Sequence, residues 1–259
     1  PALDVPGYYE DDQTTQELQF LYEGERLRGV AGLYYLDAHA AGKFDTIVGL
    51  LNLTIATSGF VDTTSYAAYA DFSYDFTDKL SASLGGRYTS DEKEGGVYRQ
   101  NFTGLYSPQF GNNAAVPGLV RSDYTNDRTF DQFTPRASIS YEFTDTFTTY
   151  ASYSEGFKSG GFDMRGDVVL TPDTVNGYDP ETVQSYEIGT KGTLFDDRLS
   201  YNFAAVYADY SDQQITRQQP TVTGSIASFV DNAGASTIQG VELEGSAQLS
   251  DRFSLNYGI

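Results

Sequence analysis

Apolar and polar residues alternate with a period of two along most of this chain, the pattern of strands that present one apolar and one polar face. From Tyr66 one register reads Tyr66, Ala68, Ala70, Phe72, Tyr74, Phe76, and the other reads Ser65, Ala67, Tyr69, Asp71, Ser73, Asp75. The next run divides the same way: Leu80, Ala82, Leu84, Gly86 and Tyr88 alternate with Ser81, Ser83, Gly85, Arg87 and Thr89. Only the turn Thr77-Asp78-Lys79 separates the two runs, and Asp suits such a turn because its side chain bonds nearby backbone. The unit returns as Phe133, Pro135, Ala137, Ile139, Tyr141, Phe143 before the turn Thr144-Asp145-Thr146. Gly24-Glu25-Arg26, Phe195-Asp196-Asp197-Arg198 and Leu249-Ser250-Asp251-Arg252 occupy the same place between alternating segments. The pattern predicts ten strands, at 14–23, 27–38, 63–76, 79–92, 131–143, 146–154, 182–194, 198–210, 237–249 and 252–259.

Longer connections, at about 39–62, 93–130, 155–180 and 213–235, alternate with the tight turns and are rich in Gly, Asn, Asp and Pro. Loops beyond about 15 residues are uncommon in compact soluble domains. Brief turns at one end and long loops at the other are the pattern of an antiparallel transmembrane β-barrel, apolar outside against lipid and polar inside. The inner face of a soluble β-sandwich is the competing reading of the apolar register, and the alternation of loop lengths weighs against it. The longest apolar stretch, about Val30 to Leu36, is far short of the roughly 20 residues a membrane-spanning helix needs. The predicted fold is therefore all-β, an antiparallel barrel meander.

Composition then sharpens the picture. The 259 residues include 21 Tyr and 17 Phe but no Trp, and in a barrel the rings near strand ends would form belts at the two lipid–water interfaces. Tyr74, Phe76, Tyr141, Phe143, Phe147, Tyr153, Phe195 and Phe253 are placed for this. Sixteen basic against 36 acidic side chains leave a net charge of −20, which repels phosphate backbones and excludes nucleic acid as a partner. The absence of Cys removes disulfides, thiolate metal sites and thiol catalysis together, and fits a secreted or envelope protein that does without disulfides.

Little points to catalysis. The single histidine, His39, has no nucleophile or ligand partner close in sequence, and there is no Gly-x-Ser-x-Gly elbow, phosphate loop or His-Glu-x-x-His motif. Glu242 and Glu244 could pass for a carboxylate pair, but a lumenal acidic row explains them without chemistry. Glu10-Asp11-Asp12 lacks the alternating spacing of a calcium loop. No catalytic residue, metal or cofactor is predicted. The segment 93–130 differs in character, mixing Tyr98, Phe102, Tyr106, Phe110, Tyr124 and Phe130 with Arg99, Arg121 and Arg128 and the pair Asn112-Asn113. Rings and guanidinium groups together suit sugars, aryl groups or anionic chelates. The alternative is a self-packed loop whose aromatics cover the barrel rim.

Several motifs carry a family resemblance. Tyr150-Ala151-Ser152-Tyr153-Ser154-Glu155-Gly156-Phe157-Lys158-Ser159-Gly160-Gly161-Phe162 resembles a strand-end motif of TonB-dependent outer-membrane receptors. So do Pro180-Glu181-Thr182-Val183-Gln184-Ser185-Tyr186-Glu187-Ile188-Gly189-Thr190-Lys191-Gly192, Leu194-Phe195-Asp196-Asp197-Arg198-Leu199, Ala205-Val206-Tyr207-Ala208-Asp209-Tyr210-Ser211-Asp212-Gln213-Gln214 and Ile238-Gln239-Gly240-Val241-Glu242-Leu243-Glu244. The resemblance covers most of the chain from about Thr15 and is strongest from Thr134 onward.

The resemblance implies a 22-stranded barrel in the Gram-negative outer membrane, closed by an N-terminal plug. It implies import of a scarce nutrient, a ferric siderophore or oligosaccharide, driven by the TonB–ExbB–ExbD complex acting through the plug. Ten strands make a partial barrel, with plug, signal peptide and C-terminal strands expected to lie outside this sequence; an open sheet in lipid leaves two unpaired edges, so this stretch alone is not expected to insert stably. Ligand contacts are expected from Tyr98, Arg99, Phe102, Tyr106, Lys158 and Arg165 in the outer loops, and plug-facing polar contacts from Arg87, Arg136, Glu187, Lys191, Glu242 and Glu244 in the lumen. Gly156, Gly160 and Gly161 are expected to let the strand bend as it leaves the membrane. A passive porin and a secreted acidic β-rich binding module remain as alternatives, although the motifs around Gly156 and Glu187 are not those of porins.

Overall fold

The computed structural model describes residues 2–112, 114–220 and 226–259. Asn113 and the middle of the 213–235 connection lie outside the described residues. Thirteen strands are present among the described residues: β1 (Leu3–Asp4), β2 (Gly7–Glu23), β3 (Leu27–Val48), β4 (Leu53–Asp75), β5 (Leu80–Thr103), β6 (Val116–Thr144), β7 (Phe147–Lys158), β8 (Glu181–Leu194), β9 (Leu199–Ser211), β10 (Gln214–Pro220), β11 (Ile226–Asn232), β12 (Ser236–Ser250) and β13 (Phe253–Gly258). Eleven form one sheet in the order β1-β3-β4-β5-β6-β7-β8-β9-β12-β13, with β2 also paired to β3, and β10 and β11 form a separate hairpin. Every pairing in both sheets is antiparallel. The ten predicted strands are all there, as β2 to β9, β12 and β13.

Two of the predicted long connections are mostly strand. β3 and β4 stay in register up to Val48↔Leu53, so the 39–62 connection shrinks to one 3-10 turn at Gly49–Leu51. β5 continues to Thr103 and β6 starts at Val116, which shortens 93–130 in the same way. Beyond the apolar band neither face is uniformly apolar, and the ladder is held by main-chain hydrogen bonds that leave no mark on side-chain periodicity. The segments 159–180 and 212–235 are the substantial excursions, the second carrying the β10–β11 hairpin.

Register assigns each residue to a face. Tyr66, Ala68, Phe72 and Tyr74 share one face with Tyr35, Leu33, Gly29 and Leu27 on β3, and with Ser90, Tyr88, Leu84 and Ala82 on β5. This face is apolar and bare: Leu84 is 69% exposed, and Ile188, Val241 and Leu249 are exposed too. A soluble sandwich would bury it. Rings bound the band on both sides. At the tight-turn end Tyr74 meets Phe76 edge-on at 5.0 Å, Tyr141 meets Phe143 at 4.7 Å and Phe143 meets Phe147 at 5.3 Å. At the far end Tyr35 lies 5.3 Å from Tyr66, and Tyr153 5.0 Å from Tyr186, which lies 6.3 Å from Tyr207. The ten steps from Tyr66 to Phe76 at ~3.3 Å each, tilted by ~40°, span roughly 25 Å, the height of a barrel's lipid-facing band. No helix among the described residues is long and apolar enough to cross a membrane, which says nothing about crossing by strands.

The opposite face is polar and small near the tight turns, where serine hydroxyls pair across strands: Ser73 with Ser83 and Ser81 with Ser140, both at 2.7 Å. The turn between β8 and β9 places Phe195, Asp196 and Asp197 all at positive φ, tolerable for Asp but unusual for Phe. Burial concentrates at the long-loop end, where Val97, Phe130 and Phe162 are covered.

Candidate functional site

The segment 159–180 folds back over the polar face of β4, β5 and β6 above the aromatic band. Missing side chains on the wall make room for it. A Cβ at Gly95 would lie 2.5 Å from Phe162 Cδ2, and one at Gly59 would lie 3.1 Å from Met164 Cβ, so these two glycines are the seats of Phe162 and Met164. Gly160 and Gly161 serve close packing in the same way, against Tyr178 and Phe130, and neither has a positive φ. Lys93 Nζ donates to Gly160 O at 2.8 Å, Ser122 Oγ donates to Gly166 O at 2.7 Å, and Val168 N donates back to Ser122 Oγ at 3.1 Å. Arg128 donates to Asn176 O at 3.1 Å and pairs with Asp179 at 2.5 Å.

The β10–β11 hairpin closes over the segment from the other side. Gln214 Nε2 donates to the carbonyls of Ser159 and Asp179, and Asn232 Nδ2 donates to Asp179 O at 2.8 Å. Val230 N donates to Asp163 Oδ2 at 2.8 Å. A cavity of about 350 Å³ lies between segment and hairpin, lined by Asp163, Thr174, Tyr178, Arg217, Phe229 and Asp231 among others.

Charges gather where segment meets wall. Arg165 makes a two-pronged bond to Asp163, with Nε to Oδ1 and Nη2 to Oδ2 both at 3.0 Å. Arg99 donates through Nη1 to Arg165 O. Asp167 Oδ2 lies 2.5 Å from Arg121 Nε, while its Oδ1 accepts from Leu170 N at 3.2 Å. Asp163 and Asp167 are both buried. Burial lowers the Arg99 and Lys93 pKa values, in Arg99 partly offset by the neighbouring aspartates. Burial likewise pushes the Tyr124 phenol up to about 12 and raises Tyr178. The phenols therefore stay protonated and can donate hydrogen bonds at neutral pH. Among the described residues no three His, Asp or Glu side chains gather in a way that could hold a metal ion.

The six outer residues named from sequence fall in separate places. Arg99 and Arg165 meet on the polar face. Tyr98 is one residue from Arg99 on the same strand and so points to the other face, where its hydroxyl donates to Gln100 Oε1 at 2.8 Å. It lines an outer groove of about 470 Å³ with Tyr8, Lys43, Phe60 and Asp123. Phe102 shares that face by register, and Tyr106 sits in the turn beyond β5 beside Gly104. Lys158 ends β7 with its side chain exposed and its carbonyl accepting from Gln214 Nε2. Asp163, Asp167, Arg121, Phe162 and Met164 carry the seat and are not among the site residues expected from sequence; Arg121 stands out only as one guanidinium of segment 93–130, and the alternation Asp163-x-Arg165-x-Asp167 is the signal for the two aspartates.

The six lumenal candidates all lie on the polar face by register. The Arg87 guanidinium stacks 5.1 Å from the Tyr34 ring and 5.7 Å from that of Tyr69. Arg136 lies 2.9 Å from Asp71. Tyr150 donates to Glu187 at 2.6 Å, and Glu244 accepts from Asn202 at 3.2 Å. Lys191 and Glu244 line one hollow near the tight turns, and Glu242 stands one pleat along from Glu244.

A family profile described as "TonB dependent receptor-like, beta-barrel" matches residues 4–259. The chain belongs to the TonB-dependent receptor β-barrel family. Within this family of transport receptors it is 33% identical over 129 residues to the ferric-pyoverdine M114 receptor PbuA of Pseudomonas sp. strain M114, covering 49% of this chain and 14% of that protein. It is 24% identical over 191 residues to the pesticin receptor of Yersinia pestis, covering 73% of this chain and 24% of that one. The structure of the ferric yersiniabactin uptake receptor FyuA from Yersinia pestis superimposes with a TM-score of 0.77 at 20% identity, over 100% of this chain and 36% of that chain. The ferric-catecholate import receptor Fiu from E. coli K12 gives 0.57 at 13% identity, over 99% and 38%. At these identities the structural likeness shows the fold. The matched segments cover only 14% and 24% of these two curated relatives, and the whole chain spans 36% of FyuA, so it corresponds to a portion of a TonB-dependent receptor barrel.

Proposed function

We propose that the chain is part of the barrel of a Gram-negative outer-membrane receptor that imports a ferric siderophore by energy coupling. The observation that carries this reading is the two-faced wall itself: a bare apolar band bounded by rings, backed by a polar face onto which an Arg- and Tyr-lined loop folds at the end away from the tight turns. Such a wall suits an enclosed capture site more than an open channel. Relatives named as ferric-pyoverdine receptors favour a siderophore over an oligosaccharide as ligand.

The bare edges β2 and β13 are where further barrel strands would pair, since lipid tolerates no open sheet edge. A plug would occupy the lumen, with Arg87, Arg136, Glu187, Lys191, Glu242 and Glu244 facing it, and would pass force from TonB, ExbB and ExbD. Arg99 and Arg165 take the ligand side at the loop seat; Tyr98, Phe102, Tyr106 and Lys158 serve the outer rim. Deleting the gene and growing cells on a panel of ferric siderophores as sole iron source tests the reading. Growth should fail on at least one chelate and return on complementation. Unimpaired growth on every chelate overturns the siderophore assignment.

A further inference from the structure

The polar cluster beneath the loop is incompletely satisfied, and its unsatisfied atoms belong to neighbouring positions on β4, β5 and β6. Arg99 Nε, Arg121 Nε and Thr57 Oγ1 are buried with no hydrogen-bond partner. Thr57 is 1% exposed and is the direct register partner of Arg99 across β4 and β5, while Ser122 is its partner across β5 and β6. Directly opposed residues on one face hold their Cβ atoms roughly 5 Å apart, so Thr57 and Arg99 stand side by side on the polar face. Arg121 joins them at the bulge where β6 shifts register between Ser122 and Val120.

Arg121 is within ion-pair reach of Asp167, at 2.5 Å, yet its N–H is not aimed at that carboxylate. Asp163, by contrast, is fully engaged by Arg165 and Val230 N. Three guanidinium groups thus face two carboxylates, a local surplus of one positive charge inside a chain of net charge −20. A buried guanidinium without full pairing is costly, and a ligand carboxylate offers the planar, two-oxygen match that the loop aspartate does not make.

We propose that Arg99, Arg121 and Thr57 form an anion-binding subsite which the closed loop fills with its own Asp167 carboxylate, and that a carboxylate-bearing ligand displaces Asp167 and releases the loop from the wall. The idea builds on the uptake reading, because a receptor that captures its ligand here must vacate a seat the loop already holds. The amides that report release are those of Val168 and Val169, which donate across to the wall, to Ser122 Oγ at 3.1 Å and Arg121 O at 3.3 Å.

The test is hydrogen–deuterium exchange of residues 163–171 in the full-length receptor in detergent, with citrate as probe and sodium chloride at equal ionic strength as reference. Correct assembly of each variant is checked by heat-modifiable migration on gels. Citrate should speed exchange of 163–171 at least tenfold over the chloride reference. Asp167→Asn should tighten citrate binding at least fivefold by removing the competing charge, and Arg121→Gln should abolish the citrate effect. Thr57→Val discriminates further: its hydroxyl bonds nothing in the closed state, so assembly should be unchanged while citrate affinity falls severalfold. Equal exchange in citrate and chloride, no gain in Asp167→Asn, or unchanged affinity in Thr57→Val overturns the proposal. If siderophore-supported growth fails to depend on the receptor while the citrate effect is present, the uptake reading falls and the subsite stands. Dependent growth with no citrate effect removes the subsite alone.

Discussion

Substituting Gly95 by Ala puts a methyl group where the loop's main anchor lies. The new Cβ would sit 2.5 Å from Phe162 Cδ2, 2.7 Å from Cγ and 2.9 Å from Cβ, so rotating the ring does not relieve the clash and the main chain near Phe162 must move. Overpacking of this kind costs about 1–3 kcal/mol. Full expulsion of Phe162, now 7% exposed, is bounded by the ~1.5–3 kcal/mol that burying a large apolar side chain contributes. A central value of about 2 kcal/mol corresponds to roughly 30-fold faster local opening. Hydrogen–deuterium exchange of residues 161–171 in the full receptor measures it, with β4, β5 and β6 keeping their protection. Gly240→Ala is the control, because a Cβ there meets nothing within 4 Å. Phe162→Ala should loosen the same segment, and the double variant should exceed the larger single effect only slightly, since both remove one contact. Unchanged exchange in Gly95→Ala, or equal loosening of loop and strands, refutes the seat.

Other consequences follow from the same geometry. Leu84→Arg, in the middle of the bare apolar face, should destabilise insertion into lipid vesicles by roughly 2–4 kcal/mol, whereas Ser83→Arg on the opposite face should fold close to normally; equal effects would remove the assignment of faces. Asp45, fully buried, accepts from Ser107 Oγ, Gln109 N and Gln109 Nε2, so Asp45→Ala should free the 104–112 turn at a local cost of about 2–3 kcal/mol, read as protease sensitivity there. His39, outside the aromatic band, has its pKa raised chiefly by its 2.6 Å hydrogen bond to Asp62. A raised folded-state value means the pair helps fully below the unfolded pKa of ~6.5 and stops helping as pH climbs through the folded value. Its single NMR signal should titrate above 6.5 and fall toward it in Asp62→Asn.

Period-two alternation reveals the wall because lipid imposes it: every second side chain between the belts must be apolar, as Tyr66 to Phe76 show. Above the belts that demand ends. Lys93-Glu94-Gly95-Gly96 reads as loop yet pairs residue for residue with Thr125–Arg128, because main-chain bonding needs no pattern. The error then carried into the site. In a loop Tyr98, Arg99 and Phe102 could converge on one ligand; in a strand Arg99 turns to the polar face and the two rings to the other. Arg99 and Arg165 meet only because segment 159–180 folds back across the wall, a contact 66 residues apart that neither spacing nor composition discloses. The importance of Gly95 is equally hidden, since it is defined by Phe162 rather than by its neighbours in sequence.

Energy-coupled uptake is tested most directly by radioactive-iron accumulation in cells whose only siderophore receptor is the full-length protein, compared with and without TonB. Ferric pyoverdine and ferric yersiniabactin head the panel of chelates. Accumulation of at least one chelate that needs both the receptor and TonB is the predicted result. Receptor-dependent accumulation that persists undiminished without TonB would mark a passive channel and contradict the account.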